Sequence, residues 1–590
     1  MRTRIVKGTM NISSDGDIEF HTFGGDLTFS AGGKNEWTSP QTIVGAYEPI
    51  DVEDFPPENE KNKAGSIIAF IKPTISYKGE FGIDYCEMNK DLTEITKIQG
   101  TDISAIEYIF DENTKQFKRA TNIVEKYNAV KKLYHTKKYS EKEYYATWVF
   151  LSVGQTANLR LNTFFIDKSK KVKKNEEFIT FGENPNFEIK YKGQTNNQIK
   201  IFVEKHNKEY DFEVKALKTF DTIEYIKIID EKSNEIGVIE MSPNKVETLE
   251  VKVIPVVIKK TLPQDALNNI AMDLYNDVIN SQKDGVNFID VLNKHSFNQA
   301  GIQWILKDNY KIQNYRKTID QMLIIDVQNE FRHYYDSTNN TFKDWRFNAS
   351  ETDPTKKPSI YKDEDGYSKY GQNDFVNDVS YLLDKLKEVY FDKYGKTFKG
   401  ALIFVLEYDF SDTTIAYSKN TPIKNQGIIV FCKSERTKAG VYSHELGHLL
   451  GLEHTFIMNN KQLDELNNQI RDILRDKGNL ESTISSNDYN IRERKTDIEK
   501  EKEKLNNTSD VSERQSIEEK IKKYEDELKE YEIRDEQLKR ILPQKENIFI
   551  GDFRTKLGST NNIMDYKDQT GFVFSKNQVK ILRNDIHFYK

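Results

Sequence analysis

One eleven-residue stretch, His444-Glu445-Leu446-Gly447-His448-Leu449-Leu450-Gly451-Leu452-Glu453-His454, constrains the fold of this chain more than any other. On a helix, positions i and i+4 share a face, so His444 and His448 can offer imidazole nitrogens to one point. Gly451 lets the chain leave that helix in a backbone conformation that a Cβ would penalise, which allows His454 to turn back to the same point. Three imidazoles around one point suit a tetrahedral zinc ion whose fourth position stays open. Glu445 lies one step round the helix, where its carboxylate reaches a water at that open position without occupying the metal itself. With 9 His and 29 Gly in 590 residues, such a pattern arises by chance about once in 10⁵ chains. The remaining histidines, His21, His135, His206, His295, His333 and His587, have no ligand-like spacing.

The pattern HExxHxxGxxH resembles the metzincin metallopeptidases, whose other mark is a methionine turn beneath the zinc. Asn562-Ile563-Met564-Asp565-Tyr566 matches that turn. The resemblance implies that Met564 supports the zinc site from below without binding the metal. It also implies a role for Tyr566, which stands where astacin-like and serralysin-like members place a tyrosine that touches zinc or the reaction oxyanion. The match is sharp over 441–456 and 561–566, extends in outline over 262–590, and says nothing about residues 1–260. One departure is large: Met564 stands 110 positions after His454, more than the family generally uses.

That extra length has its own pattern. From 459 to 542 the chain is dominated by charged and amide residues, with Leu463, Leu466, Ile470 and Ile473 at spacings of three and four. Ile491, Ile498 and Leu505 follow at sevens, then Ile517, Ile521, Tyr524, Leu528, Tyr531 and Leu538. Such seams predict a coiled-coil insertion, an antiparallel hairpin or three helices, ended by Pro543, that either docks substrate or a partner or is a solvated insert without a specific role. Beyond the methionine turn, Ser575-Lys576-Asn577-Gln578 reads as a capping box opening a last helix with Val579, Leu582 and Ile586 on one side.

The N-terminal half reads differently. Residues 1–54 hold two short Gly-led phrases, Gly16-Asp17-Ile18-Glu19-Phe20 and Gly25-Asp26-Leu27-Thr28-Phe29, as in a small β-rich module, and 55–65 (FPPENEKNKAG) has linker composition. From 66 to about 260 strand follows strand, predicting a β-rich module at 66–168 and a β-sandwich-like module at 169–261, with a helical interruption around 106–138. Helical and then mixed patterns take over at 262, so 262–590 is expected to be an α/β, metzincin-like peptidase domain with the helical insertion at 459–542. The fold class is therefore multidomain: all-β modules followed by an α/β catalytic domain.

Composition narrows the partners. Lys and Arg number 87 against 94 Asp and Glu, a net charge of −7, so no basic field points to nucleic acid. No run of about 18 apolar residues exists to span a membrane. Cys86 and Cys432 are too few for a disulfide framework or a cysteine-rich zinc site. The start, MRTRIVK, is basic but lacks the apolar stretch of a cleaved signal. Calcium has no ordered ligand pattern, even in the acidic loop Asp409 to Asp412. With the resemblance, these features predict a zinc endopeptidase acting on proteins or peptides. Its richness in Lys, Asn, Ile and Tyr and its missing signal resemble bacterial cargo of contractile, type VI-like injection systems, with the N-terminal module docking on the spike. Two other readings stay open: a housekeeping or extracellular degradative protease, and a binding protein whose zinc site is vestigial.

Overall fold

The computed structural model describes residues 67–139, 142–166, 176–204, 206–313, 316–342, 378–410, 415–418, 427–431, 433–547, 553–565 and 571–585. The expectations for the module at 1–54, the linker at 55–65, Cys432, Asp412, Tyr566 and Ile586 lie outside these residues. The helices described are α1 (Ile123–Lys131), α2 (Gln264–Ile279), α3 (Phe288–Lys294), α4 (Asp378–Tyr394), α5 (Lys433–Arg436), α6 (Ala439–Leu449), α7 (Asn460–Asn507), α8 (Val511–Asn547) and α9 (Lys576–Asp585). None is long and apolar enough to cross a membrane. The protein is multidomain, with many β-sheets and a long helix pair near its C-terminus.

Strand Thr156–Phe165 shows why the first layers form: Ala157, Leu159 and Leu161 are buried while the residues between them are not. Period-two burial is the signature of an antiparallel sheet with one covered face. This strand lies in a sheet ordered Ile67–Pro73, Thr156–Phe165, Lys208–Ala216, Phe187–Tyr191, Gln194–Thr195. Across a shared core, which includes Leu161, Phe212, Phe181 and Ile228, sits a second sheet. Its order is Ile201–Phe202, Phe178–Phe181, Glu224–Asp230, Glu235–Met241, Thr147–Phe150, Gly82–Asp84. Each of the two sheets joins strands from before and from after residue 168, so the two modules expected at 66–168 and 169–261 share one sandwich. Neither half has a face to bury its apolar residues against without the other.

A second boundary also moves. Strand Glu247–Ile258 leaves the sandwich and joins a sheet ordered Ile302–Leu306, Glu247–Ile258, Ala401–Leu406, Gly427–Val430, Ala416–Ser418, the last strand alone being antiparallel to its neighbour. Val251, Val253 and Val257 point into one core and Ile254, Val256 and Ile258 into another. The same split divides Ile403 and Val405 from Leu402, Phe404 and Leu406. A strand covered on both faces reads as a continuous apolar run. α2, α3, α6 and α9 cover one face, and α4, through Leu382, Leu386 and Tyr390, the other. The α/β unit thus begins at 247, not 262.

Between sandwich strands sits a small lobe. The helical interruption expected at 106–138 contracts to α1, because Ile106–Asp111 and Gln116–Arg119 form a hairpin closed by the Asp111 carboxylate, which accepts the Asn113 N–H at 3.0 Å. α1 is capped by the Asn122 side chain, which accepts from Glu125 N. The lobe is tied together by Glu143, whose carboxylate accepts from Lys131, from Tyr145 Oη at 2.7 Å and from Tyr127 Oη at 3.1 Å. These bonds, that of Lys131 first, hold the Glu143 carboxyl down at about 2. Since its folded value lies below the unfolded one near 4.5, its stabilisation is present above pH 4.5 and lost as pH falls towards 2. Glu143→Gln should therefore flatten the acid-unfolding profile between pH 4.5 and 2, as followed by tyrosine fluorescence.

The charged segment forms two antiparallel helices. Arg494 pairs with Glu527 (2.9 Å), Lys502 with Glu525 (3.1 Å) and Lys495 with Glu532 (3.0 Å) across them. Ile498, Ile517 and Ile521 are buried between them, with Leu505, Tyr524 and Leu528 alongside. The first turns of α7 pack elsewhere: Leu463, Leu466 and Ile470 meet Tyr108, Phe117 and Ile457 at the lobe. Pro543 does not end α8, which runs one more turn to Asn547. A proline forfeits one ladder bond and bends a helix without always breaking it.

Candidate metal centre

α6 carries the first two histidines of the motif and is buried along its whole length. His444 Nδ1 lies 2.9 Å from the Ile563 carbonyl and His448 Nδ1 2.7 Å from the Leu452 carbonyl. Each Nδ1 must therefore carry the proton and donate it, which leaves Nε2 as a bare lone pair. At Gly451, φ is +90° and its N–H donates to His448 O at 2.9 Å, which ends the helix and reverses the chain. His454 then returns so that the three Nε2 atoms stand 3.0, 3.2 and 3.2 Å apart. Tetrahedral zinc with bonds of about 2.0–2.1 Å sets nitrogen ligands about 3.3 Å apart. These three side chains can hold a metal ion.

The electrostatics fit the same reading. Burial pushes His444 down to about 4 and His448 to about 3, and holds His454 well below the usual histidine range. All three imidazoles are thus neutral at pH 7, and lone pairs so close together need a cation between them. Burial alone pushes the Glu445 carboxyl up to about 8. Its Oε2 is buried and has no hydrogen-bond partner among the described residues. A buried carboxyl oxygen without a partner is costly and rare in a folded protein.

The structure also brings in residues that the motif did not name. Met564 is fully buried beneath α6, and a Cβ on Gly447 would lie 2.7 Å from its Sδ. Gly447 therefore lets the floor approach the helix. Gly447→Ala should cost about 1–3 kcal/mol by overpacking, read as a lower urea midpoint with an unchanged slope. The turn that carries Met564 is pinned by Asp565, whose buried carboxylate accepts from Gly558 N (2.7 Å), Thr560 N (2.9 Å) and Thr560 Oγ1 (2.7 Å). Asn562 Oδ1 accepts Met564 N at 2.9 Å, while its amide exchanges bonds with Gln578 at 2.7 and 3.1 Å. Gln578 in turn accepts from Ser575 N at 2.9 Å and donates its own N–H to Ser575 Oγ at 3.2 Å, closing the capping box of α9.

The third histidine has its own support. Phe456 stacks on the His454 ring at 4.8 Å and 22°, and Thr455 O accepts Thr555 N at 2.7 Å. Strand Phe553–Thr555 pairs with Ile106–Asp111 of the lobe, and the Asn467 side chain of α7 exchanges bonds of 2.7 and 3.0 Å with the Phe117 backbone. Residues more than three hundred positions upstream thus hold the ligand loop. No spacing argument could have found them.

No family model matches the sequence, and no curated protein does. Among solved structures, mature mirolysin of Tannerella forsythia, a metallopeptidase in complex with a cleaved peptide, is similar over 36% of this chain at 15% identity and a TM-score of 0.16. The match spans 66% of mirolysin, just under two thirds, and a TM-score of 0.16 does not establish a shared fold.

Proposed function

We propose that the chain is a zinc-dependent endopeptidase of metzincin type that hydrolyses peptide bonds in proteins. One observation carries this reading: three neutral imidazoles converge to 3.0–3.2 Å beside a buried carboxylate that lacks a partner. His444, His448 and His454 would hold the metal, and zinc suits an all-imidazole donor set of this spacing. Zinc, when bound, supplies Lewis acidity towards a carbonyl and towards water. Glu445 takes the proton of the attacking water and delivers it to the leaving amine. Tyr566, carried over from the resemblance, donates to the developing oxyanion. Met564, seated against Gly447, keeps the floor under the ligands.

The last strand in the order of the α/β unit's sheet, Ala416–Ser418, is where an extended substrate would add as a further strand. Its neighbour Gly427–Val430 is paired on both sides and offers no edge to a peptide. Delivery as an effector of a contractile injection machine rests on composition and on the N-terminal module at 1–54, and deleting 1–60 should then abolish export without changing cleavage. A coiled-coil role for the α7–α8 arm in docking a partner belongs to the same reading.

The test is cleavage of an unfolded general protein by enzyme that is zinc-loaded, chelator-stripped and reloaded. The reading expects peptides from the first and third samples and none from the second. Intact substrate with fully zinc-loaded enzyme, across several unfolded proteins, would refute it and favour a binding protein with a vestigial site.

A further inference from the structure

We infer that Lys283, on the short hairpin Gln282–Lys283/Val286–Asn287 that precedes α3, is a positioning residue for the floor of the metal site. The inference rests on the metal-binding reading above. It starts from where the backbone groups of the segment that returns from the methionine turn find their partners. Phe572 N and Val573 N donate to Asn561 O at 2.8 and 3.1 Å, and Val573 O accepts Ile563 N at 3.0 Å. Phe572 O accepts Gln299 Nε2 at 2.8 Å, Phe574 N donates to Gln299 Oε1 at 3.0 Å, and Phe574 O accepts Gln99 Nε2 at 3.1 Å. The remaining carbonyl, that of Gly571, accepts from Lys283 Nζ.

Gly571 is where a displacement would reach the ligands. Its backbone lies flat on the turn, so close that a Cβ would stand 2.1 Å from Asn562 O and 3.0 Å from Ile563 Cα. Ile563 O is the group that fixes the His444 ring through Nδ1 at 2.9 Å, and Met564 follows it. Lys283 is thus joined to His444 through three successive contacts: its bond to Gly571 O, the close approach of Gly571 to the turn, and the Ile563 O bond to the ring.

The other end of the link is equally short. Gln282 N donates to Thr437 O at 3.0 Å, and Gln282 bridges Lys438, the residue that opens α6. That helix has no side-chain cap at its start. Lys283 therefore sets the spacing between the helix that carries His444 and His448 and the floor that orients His444. Its ammonium is kept there although burial pulls it down to about 8, a cost that a lysine free in solvent would not bear. A carbonyl needs a donor on a long, adaptable stem at this place, because no backbone N–H of the hairpin reaches it.

The experiment uses the full chain with Lys283→Met, which keeps the stem and removes the donor, and with Lys283→Arg, which restores a donor. Three quantities are read: zinc affinity by competition with a chromophoric chelator, the visible spectrum of the cobalt-substituted site, and the thermal midpoint without metal. Lys283→Met should lose about 10-fold or more in zinc affinity and shift the cobalt spectrum, with an unchanged metal-free midpoint. Lys283→Arg should recover most of the affinity. Wild-type affinity and spectrum in Lys283→Met would overturn the inference, as would an affinity loss that merely tracks a lower metal-free midpoint. Failure of the wild type to bind zinc or cobalt would instead overturn the metal reading beneath it.

Discussion

Glu445→Ala should keep its metal and lose peptide cleavage by about 10²–10⁴-fold in kcat, the usual contribution of a positioned general base. The expectation follows from the position of the carboxylate. Glu445 is 8% exposed and its Oε2 has no partner among the described residues, so it holds no structural bond that the alanine would break. The three imidazoles are oriented by Ile563 O, by Leu452 O and by the Phe456 stack, none of which involves Glu445. Removing a buried carboxyl that burial already pushes up to about 8 should leave the fold intact or slightly firmer. Metal content by atomic emission and turnover of an unfolded protein check both halves. Near-normal turnover with full zinc occupancy would remove Glu445 from the mechanism.

The second large effect is expected far from the metal. Phe150→Ala should destabilise the protein by about 3–5 kcal/mol, and the loss should appear in the α/β unit as well as in the sandwich. Strand Thr147–Phe150 is buried throughout, and its two faces serve different cores. Val149 points into the sandwich, while Trp148 and Phe150 join α3, α6, α9 and the parallel sheet. Further links cross the same seam: Lys576 Nζ meets buried Glu240 at 2.6 Å, and Asp84 accepts Lys576 N at 2.9 Å and Tyr134 Oη at 2.6 Å. A chain starting at residue 247 would expose this whole face and should fail to give a cooperative unfolding transition by circular dichroism. A truncated chain that folds and binds zinc would show that the sandwich is dispensable.

The sequence was most informative where chemistry imposes a short, local pattern. His444, Glu445, His448 and Gly451 sit on one helix and its exit, so 3.6-residue periodicity and one positive φ describe their relation without tertiary knowledge. The capping box at Ser575 and Gln578 is local in the same way. Strand runs such as Thr156–Phe165 were legible because alternation survives wherever one face is wet. The same reasoning misplaced Glu247–Ile258, since a strand covered on both faces loses the alternation that would tell one sheet from the next. It also read helix into 106–119, where a hairpin forms because strand Phe553–Thr555 supplies a partner from the far end of the chain.

The sequence by itself determined which three histidines can meet a metal and put a carboxyl on the same helix, because those relations span eleven residues. Only the tertiary structure decided what holds those groups in place. Ile563 O, Gly447 against Met564, Lys283 at Gly571, Gln299 along the returning segment, and the lobe behind Phe456 come from positions up to hundreds of residues apart. Each is fixed by burial and by the need to satisfy every buried backbone group, conditions that exist only once the layers have packed.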